Sequence, residues 1–108
     1  MEKMEELLEQ TLLYDFYGEL LTKHQQKIYE DVVLNDISCS EVAELQGISR
    51  QGVHDLIKRC GRILNEYEEK LHLVEKFLSL REKVGAIREL AEDPAEVRRI
   101  SDEILDEL

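Results

Sequence analysis

Arg50, Gln51, His54 and Asp55 fall within six consecutive residues directly after Ser49, and Lys58, Arg59 and Arg62 follow at short intervals. Side chains repeated three or four residues apart come to one face of a helix. The chemistry they offer is recognition rather than bond making. A guanidinium matches the two acceptors on the major-groove edge of guanine, and a primary amide matches the donor and acceptor of adenine. Ser49, Arg50, Gln51, His54 and Asp55 therefore form a candidate base-reading set on a helix whose first turns enter a major groove. Lys58, Arg59 and Arg62 suit phosphate oxygens, as do Lys23, Gln26 and Lys27 from an earlier segment. The plainer alternative is a solvated helix face supported by i, i+4 pairs such as Asp55 with Arg59.

Such a face needs a scaffold, and the residues around it spell one. Ala43 stands where two short helices would cross, and a side chain larger than a methyl would push their axes apart. Gly47 falls where the turn between them requires positive φ. Val53, six residues on, puts a branched apolar side chain on the inner face of the second helix, with Ile48 and Leu56 completing that face. Helix starts are marked as well. Thr22 with Gln25 and Ser38 with Glu41 read as capping boxes, and Ser49 as a third N-cap. Three helices in register are expected, from Thr22 to about Leu34, from Ser38 to about Gln46, and from Ser49 onward.

The stretches Leu21–Ile28 and Ser40–Val53, followed by Lys58 and Arg59, resemble region four of bacterial sigma factors over about forty-five residues. With its acidic first helix and acidic helical tail, the whole chain resembles the YlxM family of small helix-turn-helix proteins. That resemblance implies an all-α, sigma region four-like helix-turn-helix core with an N-terminal helix, a long recognition helix and C-terminal helices. It also implies a regulatory DNA-binding role connected with the signal recognition particle pathway. The alternative is an adaptor of the signal recognition particle machinery that uses the motif as scaffold without binding DNA. Sigma region four works inside a polymerase complex, and since no other sigma region is present here, promoter recognition with polymerase does not carry over. Gly52 also departs from sigma-like sequences, which usually have a small polar residue there; it leaves one base-reading position empty.

Beyond the motif, Ile57, Cys60, Leu64, Tyr67, Leu71, Val74 and Leu78 recur at alternating spacings of three and four with no proline between them. This pattern predicts that the recognition helix runs on to about Leu80. Leu64, Tyr67, Leu71, Val74 and Leu78 would then be the seam of a homodimer, or would be covered by the last two helices of the same chain. Val84, Ile87, Leu90 and Ala91 mark a short apolar face, and Asp93-Pro94-Ala95-Glu96 restarts a helix with an N-cap and a proline at N1. An opening helix from about Glu2 to Leu20 carries Leu8, Leu12, Phe16 and Leu20 on one side. The four tyrosines, set among leucines at helical spacing, read as core or interface rather than as base-stacking groups.

The 108 residues, 43% of them hydrophobic, suit a single domain over 1–108, with a helix-turn-helix module at 21–64 and a helical tail at 65–108. An acidic start and the lack of a long apolar run lead to the expectation of a cytoplasmic protein without a membrane span. Cys39 and Cys60 have no ligand spacing around them, so neither metal nor other cofactor is expected, and Cys60 reads as a buried apolar group. The histidines are far apart and no nucleophile motif or phosphate loop is present, so an enzyme is not expected. A net charge of −11 opposes binding to a polyanion, but its distribution matters more than its sum. From Ser49 to Leu64 four bases, Arg50, Lys58, Arg59 and Arg62, face Asp55 alone, on a body whose two ends carry the acid.

Overall fold

The computed structural model describes residues 2–108, with side chains from residue 5 onward, and contains helices and no strand among them. Helix α1 spans Glu2–Tyr17, α2 Lys23–Tyr29, α3 Cys39–Gln46, α4 Arg50–Leu71, α5 Leu73–Glu89 and α6 Pro94–Glu107. A 3-10 turn at Gly18–Leu20 follows α1, and a wider π turn at Glu30–Leu34 follows α2. The chain gathers into two compact units, Met1–Leu71 and His72–Leu108. The first holds the helix-turn-helix, and its end lies seven residues beyond the module boundary drawn at Leu64.

Local chemistry explains where these helices begin. The Thr22 hydroxyl accepts from the Gln25 amide over 3.1 Å while the Gln25 side chain accepts from the Thr22 amide over 2.9 Å, a complete capping box. The Ser38 hydroxyl accepts from the Glu41 backbone over 3.1 Å, and the Ser49 hydroxyl accepts from Gly52 over 2.9 Å. Each bond satisfies an amide that a helix start leaves without a partner. Helix α3 ends at Gly47, in the left-handed region at φ 69°, and the Ile48 amide closes the turn onto the Ala43 carbonyl.

The core of the module consists of Ile28 from α2, Val42 and Ala43 from α3, and Val53 from α4, with Val32, Ile37, Cys39, Ile48, Leu56 and Ile57 packed around it. Ile28, Val42 and Val53 are wholly buried, so the crossing of α3 and α4 is set by branched side chains fitted around one methyl. Farther along, α4 buries Cys60 and Leu64. Tyrosines tie α1 into this unit. Tyr14 stacks on Tyr29 with ring centroids 5.3 Å apart, Tyr17 stacks on Tyr67 at 6.0 Å, and the Tyr17 hydroxyl donates to Glu68 over 2.6 Å. Burial raises the Tyr29 hydroxyl to about 12, and burial together with the Glu30 carboxylate that it donates to raises Tyr14 as well.

The recognition helix does not continue to Leu80. It ends at Leu71, and His72 takes a left-handed conformation at φ 55° before α5 begins. A non-glycine residue in that conformation breaks the helical hydrogen-bond ladder, so the apolar spacing that runs through it belongs to two helices. In the second unit α5 and α6 form an antiparallel pair around Ile100, which is 4% exposed. Lys83 bridges to Glu107 over 2.7 Å, and the Ser79 hydroxyl donates to the same carboxylate. Asp93 caps α6 with Pro94 at its first turn, as the sequence spelled out.

Candidate nucleic-acid interface

The alternation of side chains along α4 divides the helix into two faces. Val53, Cys60 and Leu64 are wholly buried and Leu56 and Ile57 half-buried, whereas Arg50, Gln51, His54, Asp55, Lys58, Arg59 and Arg62 are exposed. Ser49, also exposed, holds the first turn through its bond to Gly52. The base-reading and phosphate residues expected on this helix thus share a continuous outward stripe more than three turns long. Asp55, Lys58, Arg59 and Arg62 line a shallow open groove along it.

The supporting residues from α2 divide differently. Lys23 is exposed at the start of that helix. Gln26 is not available to a phosphate: its amide donates to the carbonyls of Gly18 over 2.9 Å and Leu21 over 3.2 Å, and so joins α2 to the turn after α1. Lys27 reaches Asp31 over 3.2 Å, and the carboxylate of that pair is 8% exposed. A buried carboxylate needs a cation beside it, so Lys27 serves the fold before it can serve a ligand.

In place of Gln26 the structure brings Thr22, His24 and Gln25 opposite Gly52, Asp55, Leu56 and Arg59, lining a cleft between α2 and the first turns of α4. Sequence reasoning passed over His24. The capping box at Thr22 was the available signal, because it locates the start of α2, but no spacing rule says how near that start lies to α4. Gly52 has a local reason of its own. A Cβ added there would lie 3.1 Å from the Ser49 hydroxyl and press on the cap of α4. At Gly47, by contrast, an added Cβ would meet nothing within 4 Å, so the requirement is wholly conformational.

The seam expected along Leu64, Tyr67, Leu71, Val74 and Leu78 is divided by the break at His72. Leu64 is wholly buried within the first unit and Tyr67 stacks on Tyr17 there, while Leu71 and Leu78, on different helices, are exposed. These five residues therefore do not form one helical stripe.

Residues 4–104 of the chain match a family described as "Putative helix-turn-helix protein, YlxM / p13 like". The chain belongs to this family. A UPF0122 protein of Caldanaerobacter subterraneus subsp. tengcongensis is 49% identical, with 79% of this chain and 73% of that protein covered. A UPF0122 protein of Thermoanaerobacter sp. is 44% identical over 96% of this chain and 94% of its own. UPF0122 protein YlxM of Bacillus subtilis is 39% identical over 91% and 89%. The match extends beyond the motif over nearly all of α1, the whole of α5 and most of α6. No helix among the described residues is long and apolar enough to cross a membrane.

Proposed function

We propose that the protein is a regulatory DNA-binding protein that docks the first turns of α4 in the major groove of a duplex. The observation that carries this is the division of α4 into a buried face of Val53, Cys60 and Leu64 and an exposed stripe of Arg50, Gln51, His54, Lys58, Arg59 and Arg62. Arg50 and Gln51, in the first turn behind the Ser49 cap, reach base edges, and Lys58, Arg59, Arg62 and Lys23 take the flanking phosphates. His24 and Arg59, at the cleft between α2 and α4, border the same surface. The acidic remainder of the chain repels the duplex at distance, which slows association and favours sites where the α4 contacts are complete. Two copies of the chain, each offering one α4, would read the half-sites of a palindrome.

The test is fluorescence-anisotropy titration of the full chain against the duplex upstream of its own gene, at two salt concentrations, beside the double variant Arg50→Glu/Arg59→Glu. Salt-dependent binding that disappears in the variant is the expected result; no binding at low salt would overturn the proposal. Sedimentation velocity of the same samples decides the second copy, since a single 12.7 kDa species at every concentration removes it.

A second reading, contact with a protein of the signal recognition particle machinery, is favoured by the exposed leucines of the acidic elements. Leu7 and Leu8 stand among Glu5, Glu6 and Glu9, and Leu45, 75% exposed, stands beside Glu44. Charge reversal at Arg50 and Arg59 would leave this contact intact, so the same pair of proteins separates the two readings.

A further inference from the structure

Gln51 and Asp55 stand one turn apart on the outward stripe of α4, and Gln51 Nε2 donates to Asp55 Oδ1 over 3.0 Å. The oxygen and nitrogen of an amide have nearly the same shape, so a lone surface glutamine can present either atom. A carboxylate at neutral pH has no proton to give, so only the nitrogen can face it. The bond therefore settles which way the Gln51 amide is turned. Nε2 carries two hydrogens, and Asp55 takes one. When Asp55 takes the hydrogen anti to Oε1, the other hydrogen and Oε1 remain as a donor beside an acceptor, the complement of adenine N7 and the adenine amino group. Guanine shows two acceptors on the same edge, and its O6 would meet the amide oxygen in repulsion.

Resting on the DNA reading above, we propose that Asp55 is a positioning residue for specificity: it holds the Gln51 amide in the orientation that selects adenine and does not itself read a base. This gives the one acid among the four cations of the stripe a reason to be there. In contact with phosphate it would only repel; turned toward Gln51 it trades some overall affinity for discrimination. A purely structural i, i+4 pair would contribute slightly to helix stability and nothing to base preference.

The experiment uses the full chain and a pool of duplexes with about 20 randomised base pairs, enough to span two half-sites. Selection with the wild type defines the preferred site, and competition then measures adenine against guanine at each position for wild type, Gln51→Ala, Asp55→Ala and Asp55→Asn. One position should prefer adenine and lose that preference in Gln51→Ala. At that position Asp55→Ala should lower the adenine-to-guanine ratio about tenfold, within the range one bidentate contact supplies. It should bind unselected duplex more tightly than the wild type, because an anion has been removed from the stripe. Asp55→Asn can offer its oxygen to Nε2 or its own nitrogen to Oε1, so it no longer fixes the amide and should also lower the ratio, and Asp55→Ala in the Gln51→Ala background should change it no further. An unchanged ratio in Asp55→Ala, or a Gln51→Ala variant with the wild-type site, overturns the proposal and leaves DNA binding standing. A pool that enriches nothing overturns the DNA reading and this inference with it. Thermal melts of each variant ensure that a lost ratio is not lost folding.

Discussion

Replacing Arg62 with alanine should lower the salt dependence of duplex binding by about the equivalent of one phosphate contact. Four exposed cations flank the base-reading turns: Lys58, Arg59 and Arg62 on α4 and Lys23 at the start of α2. Lys27 is left out because it neutralises Asp31. For one copy on a single half-site duplex, four phosphate contacts give a slope of about −3.6 for log K against log salt, so affinity should fall roughly 150-fold between 50 and 200 mM salt. In Arg62→Ala the slope should be about −2.7 and the fall roughly 40-fold over the same range. Anisotropy titrations at four or five salt concentrations resolve that difference. Arg62 lies in the fourth turn of α4 and faces outward, so the variant should melt with the wild type. An unchanged slope would show that the groove lined by Asp55, Lys58, Arg59 and Arg62 does not lie on the phosphate backbone. A wild-type slope near zero, with binding retained, would place the contact on another surface altogether.

The remaining expectations concern what holds the stripe in place. Val53→Ala removes two methyl groups from a wholly buried site and should cost about 2 kcal/mol in urea unfolding; a loss below about 0.5 kcal/mol would mean the crossing of α3 and α4 is looser than its burial implies. Gly47→Ala should cost about 1 kcal/mol through the left-handed backbone alone and Gly47→Asn less, because asparagine tolerates that conformation. Equal costs for the two would point to crowding at a position where an added Cβ meets no atom. Tyr29, 2% exposed, has its hydroxyl raised from 10.0 to about 12 by burial, so its folded value lies above its free value. Its contribution is therefore fully present below pH 10 and declines as pH rises toward 12, by at most about 2–3 kcal/mol. Tyr29→Phe should flatten that part of the alkaline decline in denaturant titrations followed by circular dichroism, and an unaltered slope would contradict the assignment.

The helix-turn-helix was legible because each of its requirements is local. A capping hydroxyl, a glycine at positive φ and a methyl at a crossing are properties of one to four residues, and Thr22, Gly47 and Ala43 stand where those properties are needed. The exposed stripe of α4 was legible for the same reason, since helical periodicity alone separates Val53 and Cys60 from Arg50, Lys58 and Arg62. The contributions of α2 were less so. Lys23, Gln26 and Lys27 share a polar character, and what distinguishes them is tertiary: the carbonyls of Gly18 and Leu21 take the Gln26 amide, and the buried Asp31 takes Lys27. His24 enters the cleft beside Arg59 through the same packing, which spacing within α2 does not encode.

The seam from Leu64 to Leu78 shows where periodicity stops being informative. Alternating spacings of three and four state which residues would share a face if the helix were continuous, and they say nothing about whether it is. Neither glycine nor proline marks the break, because histidine can take the left-handed conformation at a modest cost. A short contact of His72 Nδ1 with Glu75 accompanies it at the start of α5. The apolar positions before the break answer to the first unit, where Leu64 is wholly buried and Tyr67 stacks on Tyr17. Those after it belong to a helix that begins anew. An unbroken α4 running to Leu80 would carry Leu64 and Leu78 on one stripe, each in a different unit. The turn at His72 lets each unit complete its own packing, and it leaves α4 as a helix whose buried face is settled within residues 53–64 and whose outward face is open to a ligand from Arg50 to Arg62.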